Sequence, residues 1–232
     1  MATATGVSPE ALNGIDYGLA RRAAVAGAGQ GSVSLGFMNV SQNTEVPTAE
    51  MAISGRIGLG HGLSAEFSAG QHPGAGPVYP GAALQWQFLG DEHSPVAMSF
   101  YTQFQRESFT EFDSEGHVDL GWAGTYRSGN AEYSVNVSGG SDLDGDPRYF
   151  EGRGVAGYYL FRGLLTGVEG RTQHAYLADS AGNKHSQFLG ALAQYSFGTV
   201  VVTGNFGASV DAVGDLATKW GTIGILKVSL RL

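Results

Sequence analysis

Alternation of apolar residues with small or polar ones, sustained through most of the chain, is the strongest constraint on what it can fold into. In Met51–Leu59 the odd positions are apolar or glycine and the even ones are small or charged. Leu63–Ala69, Ala82–Phe88, Val96–Gln105, Val118–Tyr126, Tyr133–Ser138 and Leu226–Leu232 repeat the pattern. A period of two over such windows describes β-strands with one apolar and one polar face. Twelve segments read this way, near residues 30–40, 49–59, 63–71, 81–89, 95–106, 117–126, 131–139, 149–160, 164–177, 185–196, 200–209 and 220–232. The tenth is the weakest, because Phe188, Leu189, Leu192 and Tyr195 do not share a face.

The connections carry a second pattern. Tight turns are expected near Gly60–Gly62, Gly90–Ser94, Arg127–Asn130, Phe161–Gly163 and Phe197–Thr199. Longer polar connections are expected near 41–48, 72–80, 107–116, 140–148, 178–184 and 210–219, alternating with the tight ones. An even strand count then places both ends of the strand region on the tight-turn side. Composition narrows the class further. No apolar run approaches the roughly 18 residues of a spanning helix, which excludes a helical membrane protein. Absence of cysteine excludes disulfides and thiolate metal sites. A net charge of −8 gives no reason to expect a nucleic-acid partner. Residues 1–30 hold no basic stretch followed by an apolar core, so a secretion signal, if the chain is exported, is expected to have been removed or left out.

A soluble sandwich or lipocalin-like barrel has the same alternation with its apolar face turned inward. Three features favour the opposite orientation. The polar face is dominated by Ser, Ala, Gly and Gln, and lysine occurs only at Lys184, Lys219 and Lys227. The apolar face carries Trp86, Phe88, Phe104, Trp122, Tyr126, Tyr133, Phe150, Tyr158 and Trp220, often near strand ends, where membrane barrels place aromatic girdles. Long and short connections alternate as in those barrels. Over residues 30–232 the chain therefore resembles Gram-negative outer-membrane β-barrel proteins, in pattern rather than by a motif. The C-terminal strand resembles their insertion signal, although Leu232 stands where an aromatic is usual. The resemblance implies an all-β fold: a transmembrane antiparallel up-and-down barrel of about twelve strands in the outer membrane. Its expected partners are outer-membrane lipids, lipopolysaccharide and the barrel-assembly machinery.

Twelve strands lie between self-filled small barrels and open porins, so the inward residues decide the lumen. Many are small: Ser54, Ser64, Ser68, Ala83, Ala97, Ser99, Gly121, Ala123, Ser134 and Ser138. The inward ionisable residues are Glu50, Glu66, Asp119, Glu132, Glu151 and Glu169 against Arg56, Arg153, Arg171, Lys227 and Arg231, a mixed wall. A turn centred near His61 puts Arg56 opposite Glu66. A turn centred on Arg162 puts Arg153 opposite Arg171, with Glu169 diagonal to Arg153 and Glu151 diagonal to Arg171. Such residues are candidates for a constriction or an anion or sugar site, or simply brace the wall.

Residues 1–29 form a separate unit, either a plug or a periplasmic linker to an upstream domain. Ser8-Pro9-Glu10 resembles a helix start, and Leu12, Ile15 and Leu19 follow at helical spacing, while Gly14 and Gly18 weaken it. As a plug this helical or irregular segment brings Arg21 and Arg22 to wall carboxylates. Asp142, Asp144 and Asp146 form an incomplete calcium-loop pattern in one long connection. Other connections carry Glu107, Glu111, Asp113, Glu115, Asp211 and Asp215, suited to divalent ions bridging to lipopolysaccharide. No serine–histidine constellation or nucleotide, zinc or haem signature stands out, and no cofactor is expected. The expected function is a channel or translocation pore passing solutes or an exported polymer. Alternatives are the translocator domain of a larger protein, as a resemblance to autotransporter barrels implies, a non-conducting adhesin or scaffold, and a lipid-modifying enzyme at the outer rim.

Overall fold

The computed structural model describes residues 15–42, 48–71, 79–90, 94–107, 115–143, 148–161, 163–176, 184–213 and 218–232. Its strands are β1 (Gly31–Gln42), β2 (Thr48–Gly60), β3 (Leu63–Gln71), β4 (Tyr79–Leu89), β5 (Val96–Glu107), β6 (Glu115–Ser128), β7 (Ala131–Asp142), β8 (Arg148–Phe161), β9 (Leu164–Tyr176), β10 (Lys184–Phe197), β11 (Val200–Val213) and β12 (Lys219–Arg231). Each pairs antiparallel with its sequence neighbours, and β1 pairs with β12, so the sheet closes into one barrel. All twelve fall where alternation predicts them, and the largest difference is β11, which runs to Val213 instead of ending near 209.

The two ends differ less than expected. Four turns at the end that carries Gly31 and Leu232 (the turn end) hold two residues each, but the β4–β5 connection holds six. Connections at the other end (the loop end) hold five to seven, because the ladders run on into residues read as loop: Glu107 pairs with Glu115, and Lys184 with Val213. In the β2–β3 turn His61 takes a left-handed φ of 51° between Gly60 and Gly62.

The apolar face points out. Phe67, Leu120, Leu189 and Phe206 are 64–67% exposed, and Trp86, Tyr126, Tyr133, Phe150, Tyr158 and Trp220 lie on the same outer surface. The inward face buries Ser64, Ser99, Ser134, Asn136, Gln194, Thr203 and Ser229. An apolar belt this extensive is adapted to hydrocarbon rather than to water. The ambiguity of β10 resolves by register: Phe188 and Leu192 point inward and are buried, while Leu189 and Tyr195 point out.

Residues 15–26 lie buried or half-buried inside the barrel, and the exposed residues 27–30 leave it at the turn end, where the Leu232 amide donates to the Gly31 carbonyl at 2.9 Å. No helix occurs among the described residues, so the helical spacing of Leu12, Ile15 and Leu19 does not yield a helix from Ile15 onward. The chain instead folds back on itself. The Tyr17 amide donates to the Ala20 carbonyl at 3.1 Å, and the Arg22 amide to Asp16 Oδ1 at 3.0 Å. Residues 1–14, including the expected helix start at Ser8, are outside the described region.

Candidate functional site in the lumen

The lumenal segment has almost no main-chain partners of its own; the wall supplies them. Glu169 accepts from the Leu19 and Ala20 amides at 2.8 and 2.6 Å. Asn136 accepts from the Arg21 amide at 2.6 Å, Thr125 from Ala23 at 3.0 Å and Gln87 from Val25 at 3.0 Å. In return Gln85 donates to the Arg22 carbonyl, Asn136 and Ser134 to that of Arg21, Arg153 to that of Leu19, and Lys227 to those of Asp16 and Tyr17. Helix formation would recover bonds that the polar lumen already provides, and Gly18 lowers the helical alternative further. A Cβ on Gly18 would overlap the Glu169 carboxylate.

Charged side chains fix the segment at two places. Glu132, on β7, is fully buried and accepts from Arg22 Nε and Nη2 at 3.0 and 2.8 Å and from the Tyr17 hydroxyl at 2.6 Å. Its other oxygen accepts from Arg127 at 2.7 Å and from Tyr159 at 3.1 Å. The Arg22 guanidinium, itself fully buried, also lies over the Tyr17 ring, 4.1 Å from its centre. The second anchor joins β2 and β3, where the tight turn and a bulge at Gly58–Gly60 set Arg56 opposite Glu66. Arg56 Nη2 bonds both Glu66 and Asp16 at 2.6 Å, and Arg21 reaches Glu66 at 2.9 Å and Gln103 at 2.9 Å. Burial alone would raise the Asp16 carboxyl, yet the guanidiniums of Arg56 and Arg21 hold it below the ordinary carboxylate range.

Arg153 and Arg171 do face each other in register. Both pair with Glu151, Arg171 Nε at 2.8 Å. Glu169, expected to lie diagonal to Arg153 within this cluster, is committed to the segment amides and to Asn205 instead. Asp119 accepts the Tyr149 hydroxyl from the adjoining wall.

Two groups of residues escaped the sequence reading. Asp16 was not among its ionisable residues, because nothing local marks it as lumenal. Large inward apolar residues were also missed: Val155, Tyr159, Leu165, Leu192 and Val201 form a buried cluster with Ile15, Tyr17 and Ala20, and Tyr101 packs with Ala23, Ala24 and the wall residues Ala97 and Ala123, which alternation does place inward. The inward Leu192 of the irregular tenth segment was the one visible trace. Asp144, Asp146 and the side chain of Asp142 lie outside the described residues, as do Glu111, Asp113 and Asp215. His174 and His185 meet on the outer surface, Nδ1 to Nδ1 at 2.9 Å. Ser186 points to the lumen while its neighbour His185 points out, so the two are on opposite sides of the wall.

No protein-family model and no curated protein matches this chain. Solved structures do. An outer-membrane channel from Pseudomonas putida F1 matches with a TM-score of 0.64 at 10% identity, over 94% of this chain and 98% of the other. The translocator domain of the autotransporter NalP from Neisseria meningitidis gives 0.56 at 11%, over 89% and 90%. The KdgM porin gives 0.52 at 8%, over 85% and 98%. At such low identity these likenesses establish architecture alone: the chain has the fold of outer-membrane β-barrel proteins.

Proposed function

We propose that the protein is an outer-membrane channel of a Gram-negative envelope, passing small hydrophilic solutes through a lumen narrowed by residues 15–28. The observation that carries this reading is the occupied polar lumen within an apolar wall. The segment is held by charged and amide side chains of many strands, and small residues beside it leave room for water. A wall that only braced itself would not need to offer acceptors to the amides of Leu19, Ala20, Arg21, Ala23 and Val25. The fold shared with an outer-membrane channel and a porin supports the reading. Passage of a folded-out polymer fits less well while the segment is seated, and the reversal of the chain between Asp16 and Arg22 suits a restriction within the barrel.

Single-channel recording in planar bilayers tests this. The detergent-folded chain is expected to give small, steady conductance, and deletion of residues 1–28 to raise it. Silence from both forms, each verified as folded by heat-modifiable migration in electrophoresis, would overturn the channel and favour a scaffold.

A further inference from the structure

The packing around the lumenal segment is uneven. Towards β5 and β6, Ala23 and Ala24 meet Ala97, Tyr101 and Ala123, and towards β8–β11 the segment packs on the apolar cluster around Leu165. Both contacts exclude water. Across β12, β1, β2 and β3 the wall is small and polar instead. Ser229 is in register with Ser34, Ser34 with Ser54, and Ser54 with Ser68, so four serines stand at one level. The next inward level towards the loop end holds Lys227, Gly36, Ala52 and Gly70, and the one towards the turn end holds Arg231, Ser32, Arg56 and Glu66.

Between this sector and the segment lies a cavity of about 190 Å³, bordered on the wall by Ser32, Ser34 and Ser54. Its charged lining is Arg21, Arg56, Arg153 and Lys227 against Asp16 and Glu66, four cations to two carboxylates. Asp16 and Glu66 are both engaged by Arg56. Lys227 donates to the main-chain carbonyls of Asp16 and Tyr17 with Glu169 nearby, and Arg153 shares Glu151 with Arg171, so with Arg171, Glu151 and Glu169 included the balance is five cations to four carboxylates and positive charge stays in excess.

We propose that the serine-lined gap is the conducting path past the seated segment and that it selects small inorganic anions over cations. The inference rests on the channel reading above and specifies its permeant class. Hydroxyl groups replace hydration water for ions of either sign, whereas surplus fixed positive charge in a narrow, low-dielectric space concentrates anions and repels cations.

The chain lacks cysteine, so Ser54→Cys places a single thiol in the gap. A negatively charged methanethiosulfonate is expected to modify it several-fold faster than a positively charged one, after correction for their rates with a free thiol, and modification is expected to block most of the current. Unmodified protein in a potassium chloride gradient is expected to show a reversal potential with chloride several-fold more permeant than potassium. Ser34→Trp, which fills the gap, is expected to remove most of the conductance; should it not fold, the thiol experiment stands alone. Cation preference, or current unaffected by modification, overturns the inference and leaves the channel standing. Silence from both the full chain and the form lacking residues 1–28 overturns the channel reading itself.

Discussion

Glu132→Gln is the sharpest perturbation of the lumenal segment, because it removes charge while keeping shape. Glu132 and the Arg22 side chain are both fully buried, 2.8 Å apart, and Arg127 shares the same carboxylate. Removing one partner of a buried ion pair costs about 3–5 kcal/mol, since the remaining charge keeps its desolvation penalty without its counterion. At about 1.4 kcal/mol per tenfold, the unseated population rises by about two to three and a half orders of magnitude. Trypsin reads this directly: Arg21 and Arg22 are cleavage sites that are 8% and 0% exposed while the segment is seated. When reclosing outpaces cleavage, the cleavage rate follows the open population. In detergent micelles, where both barrel ends are accessible, Glu132→Gln is expected to accelerate cleavage at these arginines by that factor and to raise mean conductance. Adding Arg22→Met to Glu132→Gln removes the buried cation left without its counterion, keeps an acceptor for Arg127, and is expected to recover part of the loss. Unchanged cleavage and unchanged conductance in Glu132→Gln would refute the anchoring.

Gly58→Val is expected to unseat the segment at its exit, because a Cβ there overlaps the Ala26 and Gly27 carbonyls; the same trypsin assay reads it, and full protection would count against that path. Phe206→Arg, on an outward position 64% exposed near mid-strand, is expected to cost about 2–4 kcal/mol in urea unfolding from lipid vesicles, and no loss would show that this face avoids lipid. Asp16 has its carboxyl held low, so its contribution is complete above the ordinary carboxylate pKa of about 3.9 and is lost as pH falls through the lower value in the folded protein. Trypsin is inactive there, so conductance is the measure: flat from neutrality to mild acid, rising only in strong acid, with Asp16→Asn raising it already at neutral pH. Brominated lipids are expected to quench Trp86 and Trp220, which lie on the outer surface; failure to quench would put them out of contact with acyl chains.

Much of the wall was legible in the sequence because its determinants are local. A period of two fixes which side chains point together, and turns centred on His61 and Arg162 put Arg56 opposite Glu66 and Arg153 opposite Arg171; the structure reaches the same register with a two-residue turn and a bulge beside it, at Gly58–Gly60 and at Tyr159–Phe161. The lumenal segment was not legible in the same way. Its main-chain partners lie at sequence separations of 150 for Leu19 with Glu169 and 102 for Ala23 with Thr125, far beyond any periodic signal. Helical spacing at Leu12, Ile15 and Leu19 described a local preference that the wall overrides. The same gap explains the apolar inward residues of β8–β11: alternation assigns apolar side chains to the outside, and only a guest within the barrel gives Val155, Leu165 and Val201 something to pack against. The partners of Glu169 were likewise out of reach, since it turns from the nearby arginines to the amides of the segment, whereas Glu66 and Glu151 keep the arginines expected of them.

Asp16 is gripped by Arg56 from the second strand, while the last strand contributes Lys227 to the carbonyls of Asp16 and Tyr17. Those two strands are brought into range only when the first and twelfth join at the seam. The contacts of Asp16 and Tyr17 are therefore complete only in the closed cylinder, so the final seating of these two residues is tied to the joining of the sheet's outermost strands.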